Sequence, residues 1–251
     1  MPQEGFVCCD VMLKSQHSAT ASQRIATVRK LILADLVPVA KGSIRDVYRH
    51  PDDPGLLIKV IRKSTQDEKF GSGRRWYKAS KRRYGHLISY LREIREHIAV
   101  NASNAGHPDY LQRIVGFAET DLGLGLVVEA IFAPDGSYAP TLSKLIAEGQ
   151  MTPAIQEAFE RFCSAVTQTE VIIADLHVHN VVYGSPDGDN PRFILIDGVG
   201  HKTLVPLELV SQRINRWSNR QKIAKLRAQV AVRSSGGLGG GAVQQRRRIT
   251  A

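Results

Sequence analysis

Short apolar runs alternate with turn-forming clusters along the first half of the chain, and helical spacing takes over in the second. Residues 31–39 and 46–48 are apolar stretches parted by Ala40-Lys-Gly-Ser43. The turn Pro51-Asp-Asp-Pro-Gly55 precedes a compact run, Leu56-Leu-Ile-Lys-Val-Ile61. Runs this short, bounded by Gly, Pro and Asp, predict three strands in an antiparallel meander. From Leu87 the apolar residues fall at Tyr90, Leu91, Ile94 and Ile98, which is one face of a helix. Two more strands are predicted over 114–117 and 124–131, with a turn at Thr120-Asp-Leu-Gly123. Thr152-Pro153 is an N-cap followed by the imino acid of a first turn, and Ile155, Phe159, Phe162 and Val166 then form a buried stripe. Strand-like runs follow at 171–173, 180–183 and 193–196, the last two parted by Pro186-Asp-Gly-Asp-Asn190, and a basic helix closes the pattern over 213–230. A β-rich half with one helix, then a helical half holding a small hairpin, predicts an α+β two-lobe fold.

The ends differ from this middle. Residues 1–30 are polar and mixed and read as a leader. Residues 231–251, with Ser234-Ser-Gly-Gly-Leu-Gly-Gly-Gly241 and Arg246-Arg-Arg248, read as a flexible basic tail. That leaves 31–129 as a β-rich N-terminal lobe and 130–230 as a helical C-terminal lobe.

Composition places the chain among ordinary globular proteins: 251 residues, 43% hydrophobic and 23% charged. No apolar run approaches the roughly 20 residues of a membrane span, and the N-terminus lacks a secretory pattern. Cys8 and Cys9 are adjacent and Cys163 stands alone, which makes neither a disulfide framework nor a zinc spacing. These features together lead to an expected cytoplasmic location. The net charge of +10 is unevenly placed, with nine Lys/Arg against Asp67 and Glu68 between residues 62 and 83. Such a block attracts nucleic acid, acidic lipid or phosphorylated substrates, or is simply a solvated face. Trp76 and Tyr77 among its cations suit base stacking, but no nucleic-acid-binding motif accompanies them, so this partner class ranks last.

The chemistry-bearing residues are polar ones held by apolar strands. Asp175-Leu-His-Val-His-Asn180 precedes one strand, and Asp197-Gly198 closes the next. Mg²⁺ takes a few oxygen ligands and keeps its other positions for water and phosphate. Asp197 and Asn180 can supply two such oxygens, while Asp175 can orient an acceptor hydroxyl and take its proton. Lys59, centred in an apolar strand, would be costly to bury without anionic partners; ATP phosphates and a helix glutamate would serve. Glu93 or Glu96 is the candidate, with Glu93 nearer the apolar stripe. Ala40-Lys-Gly-Ser-Ile-Arg-Asp-Val-Tyr48, with Gly42 and Ser43, is the candidate phosphate-covering loop, although one glycine is few for that task. A rival reading takes His177 and His179, with Asp175, as zinc or iron ligands.

In this order, the Gly42 loop, Lys59 in its strand, a helix Glu, Asp175-x-x-x-x-Asn180 and Asp197-Gly198 resemble the protein-kinase-like superfamily. More closely, the chain is similar to the YrbL family of the PhoP regulatory network. That match rests on Arg45-Asp-Val-Tyr48, Gly116-Phe-Ala-Glu-Thr-Asp-Leu-Gly-Leu-Gly125, Asp135-Gly136 with Thr141-Leu142, and Gly200-His-Lys-Thr-Leu-Val-Pro-Leu207. The resemblance implies a protein-kinase-like two-lobe fold with a reduced C-terminal lobe, since only 198–251 follow Asp197. It also implies ATP and Mg²⁺ as cofactors, with Lys59 and Glu93 anchoring phosphates, Asn180 and Asp197 binding Mg²⁺, and Asp175 acting as base. Residues 128–131, with Glu129 and Ile131, would be the adenine-binding hinge. The expected activity is transfer of the γ-phosphate to an unknown hydroxyl acceptor, linked to two-component signalling. A nucleotide-binding pseudokinase is the alternative. Oligomeric state stays open.

Overall fold

A computed structural model describes residues 30–62, 84–103, 106–200 and 211–236. Residues 1–29 of the leader, residues 63–83 of the basic block with Trp76 and Tyr77, residues 201–207 of the last resemblance segment, and the tail from 237 lie outside the described residues. β1 (Ala40–Lys41), β2 (Arg45–Arg49) and β3 (Leu56–Ile61) are followed by α1 (Ile88–Ala102), β4 (Ile114–Thr120) and β5 (Gly123–Glu129). Then come α2 (Leu142–Ala147), α3 (Pro153–Gln168), β6 (Val181–Gly184), β7 (Arg192–Leu195) and α4 (Gln212–Gly236).

The first five strands make one antiparallel sheet in the order β1-β2-β3-β5-β4, and β6 pairs with β7 alone. The fold is therefore α+β in two lobes. Strand alternation divides β3: Ile58 and Val60 join Leu31, Leu33 and Tyr48 on one face, whereas Leu57 and Ile61 meet Tyr90 of α1 on the other. Lys59 falls between those two, on the helix side. The larger core lies in the second lobe, where Phe159, Phe162, Cys163 and Val166 of α3 pack on Phe193 and Leu195 of β7 and on Ile223 and Leu226 of α4. Thr152 caps α3, its hydroxyl accepting from the Ile155 N–H at 3.4 Å.

Several expectations need correction. Residues 31–39 form no strand: Leu31 makes an isolated bridge to Thr120, and the first strand is the two-residue pair at Ala40–Lys41. The main-chain N–H groups of Leu33 and Ala34 donate to the Asp121 carboxylate at 2.8 and 3.0 Å, which bends the chain away from a ladder, and Pro38 has no N–H to give one. Residues 171–173 make only the bridge Ile173–Val199. On α1 the buried face is Tyr90, Glu93, Glu96 and Val100, while Ile98 is 59% exposed. The helix is turned so that two acids point inward, against the apolar reading. The short α2 had no periodicity long enough to register; its signal is the Thr141 hydroxyl accepting from Lys144 N–H at 3.2 Å.

Candidate active site

Lys59 is 6% exposed. Its Nζ donates to Gln112 Oε1 at 2.8 Å and to the carbonyl of Ile196 at 2.5 Å. Since Ile196 precedes Asp197, one side chain of the upper sheet reaches the strand end of the lower hairpin. Burial pulls the Lys59 ammonium pKa down, the charges of Glu93 and Asp197 push it back up, and Arg45 adds to the lowering. A cation desolvated between two carboxylates is suited to meet a further anion.

Glu93 is also buried, but it gives its carboxylate to Arg45, not to Lys59. Arg45, on β2, is 7% exposed and lies 4.0 Å from Asp197 through the same Nη2. Burial alone would lower the Arg45 pKa, but Glu93 and Asp197 outweigh it and hold the guanidinium charged. Neither Arg45 nor Gln112 stood out in the sequence as a site residue. Arg45 lies just before the 46–48 run, in the candidate loop, and its partner is 48 residues away. Gln112 carries no local signal beyond being a polar residue between Leu111 and Ile114.

The lower wall is built on main-chain bonds. The carbonyl of Gly198 accepts from Ala174 N–H at 2.7 Å and Asp175 N–H at 3.0 Å, and the Asn180 side-chain amide donates to the carbonyl of Asp175 at 3.2 Å. With its nitrogen so committed, Asn180 keeps its Oδ1 as an acceptor. Ile196 N–H donates to the Asn180 carbonyl at 2.9 Å, holding the two metal-candidate residues on adjacent chains. Asp197 Oδ1 accepts from Gly198 N–H at 2.6 Å, and the Asp197 side chain remains 43% exposed. A carboxylate and an amide oxygen are the hard donors Mg²⁺ prefers, and two protein ligands leave room for water and phosphate. The residues present fit that ion. Zinc or iron is less well served. Among the described residues no group of three or more His, Cys, Asp or Glu is gathered to hold a metal.

Contacts thus link Lys59, Glu93, Asp175, Asn180 and Asp197 into one group, with Arg45 and Gln112 added. The remaining candidates sit around it. Gly42 turns between β1 and β2, with its N–H already given to the Arg45 carbonyl at 2.8 Å, and Ser43 beside it is exposed. Glu129 and Ile131 line a neighbouring cavity of about 260 Å³ with His107, Arg113, Arg192 and Ile194; none of the Lys59 group lines it. The Glu129 carbonyl accepts from Gln112 Nε2 at 2.7 Å, and that of Ile131 from Ala139 N–H at 2.9 Å. Each carbonyl has a second lone pair to offer.

Glu96 has a different task. Its carboxylate accepts from Ile172 N–H at 2.7 Å, tying α1 to the segment that leads into Asp175. Burial raises its pKa, while the Ile172 bond and Arg95 act to lower it. A glutamate whose folded pKa is raised contributes its stability below the ordinary glutamate value and loses it as pH climbs through the raised one. We therefore expect thermal melts of the native chain to decline from roughly pH 4 towards neutrality relative to Glu96→Gln, which keeps the acceptor without the charge. Parallel pH profiles would rule this out.

Comparison with known proteins adds the family. A family model described as PhoP regulatory network protein YrbL matches residues 31–231. Among solved structures, Rad53 in complex with AMP-PNP is 16% identical with a TM-score of 0.46, the match covering 80% of this chain and 47% of that one. A double mutant of the PknI kinase domain from Mycobacterium tuberculosis is 15% identical with a TM-score of 0.44, covering 82% and 76%. Another structure of that kinase domain is 17% identical with a TM-score of 0.39, covering 64% and 57%. The chain spans about half the length of the Rad53 chain it matches. No curated protein matches. The chain belongs to the family of PhoP regulatory network protein YrbL.

Proposed function

We propose that this chain binds ATP with Mg²⁺ in the crevice between its lobes and transfers the γ-phosphate to a hydroxyl acceptor. The observation that carries the reading is the contact of Lys59 Nζ with the Ile196 carbonyl, which sets a buried cation beside Asp197 and its neighbour Asn180. Adenine would lie along 129–131, and the triphosphate would run beneath the β1–β2 turn to Lys59. Asp197 and Asn180 would hold Mg²⁺, which when bound neutralises charge on the phosphates and fixes their geometry. Asp175 would take the proton of the acceptor hydroxyl as its oxygen bonds to the γ-phosphorus; the bond from that phosphorus to the bridging oxygen breaks, and ADP leaves. Lys59 Nζ would lie against the phosphates. Family membership supports a role linked to the PhoP regulatory network. Among the described residues no helix is long and apolar enough to cross a membrane.

The test is a thermal shift. ATP well above its dissociation constant should raise the melting midpoint only with Mg²⁺ present, by the equivalent of about 2.7 kcal/mol at a hundredfold excess. Asp197→Ala should abolish that shift. A shift of equal size without Mg²⁺, or one retained in Asp197→Ala, would overturn the assignment. A second reading, a nucleotide-binding module that transfers nothing, is favoured by one observation: Glu93 is bound to Arg45 and not to Lys59. It requires ATP binding with no transfer or hydrolysis.

A further inference from the structure

Resting on the nucleotide reading above, we propose that Arg45 is a phosphate-binding residue that takes over the work of the missing loop glycines, leaving Glu93 when the triphosphate arrives. The β1–β2 turn has one glycine, and the N–H of that Gly42 is spent on the Arg45 carbonyl. Main-chain donors for phosphate are therefore scarce where a kinase-like loop usually supplies them. A guanidinium lies in their place. Arg45 comes from the strand that follows the turn, is buried, and bridges Glu93 and Asp197 through Nη2 alone. Its Nε and Nη1 are buried without a hydrogen-bond partner, and its Cζ lies 5.4 Å from the centroid of the Tyr90 ring.

A buried guanidinium using one of its three nitrogens is poorly satisfied. Triphosphate oxygens accept bidentate N–H pairs, which Glu93 cannot match here. Arg45 and Lys59 match the two carboxylates they face, Glu93 and Asp197, and Asp175 brings the described group to a formal charge of −1 before Mg²⁺ and nucleotide enter. Once Mg²⁺ has satisfied Asp197, transfer of Arg45 to phosphate would leave Glu93 to Lys59, whose present acceptors are only an amide and a carbonyl. Two cations thus share one glutamate in turn.

The experiment compares dissociation constants of ATP and adenosine, with Mg²⁺, for the native chain, Arg45→Lys, and the double variant Arg45→Gln/Glu93→Gln. The lysine variant keeps a cation for Glu93, and the double variant removes both charges, so neither leaves a lone buried carboxylate. Circular dichroism melts check folding. Loss of charge-assisted hydrogen bonds should weaken ATP by about 10- to 100-fold and leave adenosine within about twofold. If both variants bind ATP as tightly as the native chain, Arg45 does not bind phosphate and the inference falls alone. Equal weakening of ATP and adenosine in folded variants also overturns it, because Arg45 would then only shape the cleft. A native chain that binds neither ligand ends the nucleotide reading itself.

Discussion

Asp175→Ala is expected to cut phosphate transfer by about 10²- to 10⁴-fold while nucleotide affinity changes little. The main chain around this residue is clamped at both ends, its N–H on the Gly198 carbonyl and its own carbonyl on the Asn180 amide. None of those bonds uses the carboxylate, which is 45% exposed. Truncation should therefore leave those main-chain bonds in place, and a thermal melt of the variant checks that it stays folded. What disappears is the proton acceptor. Single-turnover transfer to a hydroxyl substrate, measured beside equilibrium ATP binding, separates the two effects. Transfer at the native rate would remove Asp175 from the chemistry. His177, whose Nε2 lies 4.0 Å from Asp175 Oδ1, would then be the next base to test.

Gly198→Ala should do the opposite and damage fold and function together. Gly198 has φ +87°, where an L side chain is strained, and a Cβ built there would lie 2.1 Å from the Asp175 carbonyl oxygen. The obstacle is backbone, so no rotamer change relieves it. Either the Asp197–Gly198 turn or the Asp175 segment must move, breaking the bonds that Ala174 and Asp175 make to the Gly198 carbonyl. Conformational strain of about 1–2 kcal/mol and two disturbed hydrogen bonds of about 1 kcal/mol each add to a loss of several kcal/mol. Denaturant unfolding measures the loss directly, and transfer should fall with it. Should the alanine variant match native stability, the close approach of the two loops is wrong, and the placing of Asp175 near Asp197 fails with it.

These two positions also show which parts of the molecule could be read from its residues. Lys59, Asp175, Asn180 and Asp197 each interrupt or border an apolar strand, and a polar residue in that setting is conspicuous. The sheet was legible for the same reason, because Leu56–Ile61 and Gly123–Glu129 are short apolar runs closed by turn residues. Arg45 was not conspicuous, since its burial comes from Glu93 and Tyr90, far along the chain. The inward turn of α1 was hidden too. Its stripe of Leu91, Ile94 and Ile98 argued for one face, whereas Arg45 and the Ile172 N–H reward another by satisfying Glu93 and Glu96. Periodicity reports burial of apolar groups; it is silent where acids are buried because something distant bonds them.

The stitching between sheet and hairpin would govern how a nucleotide, bound as proposed, gets in. Gln112 N–H binds the Leu195 carbonyl, Leu195 N–H binds that of Tyr110, and Lys59 closes on Ile196. Three cross-ties at the rear resist a clamshell opening. For a nucleotide bound as proposed, admission would then fall to the short β1–β2 turn, whose Gly42 carbonyl accepts from Arg62. The tempo of loading would be set by lifting that turn, a few residues long, and not by swinging one half of the molecule away from the other.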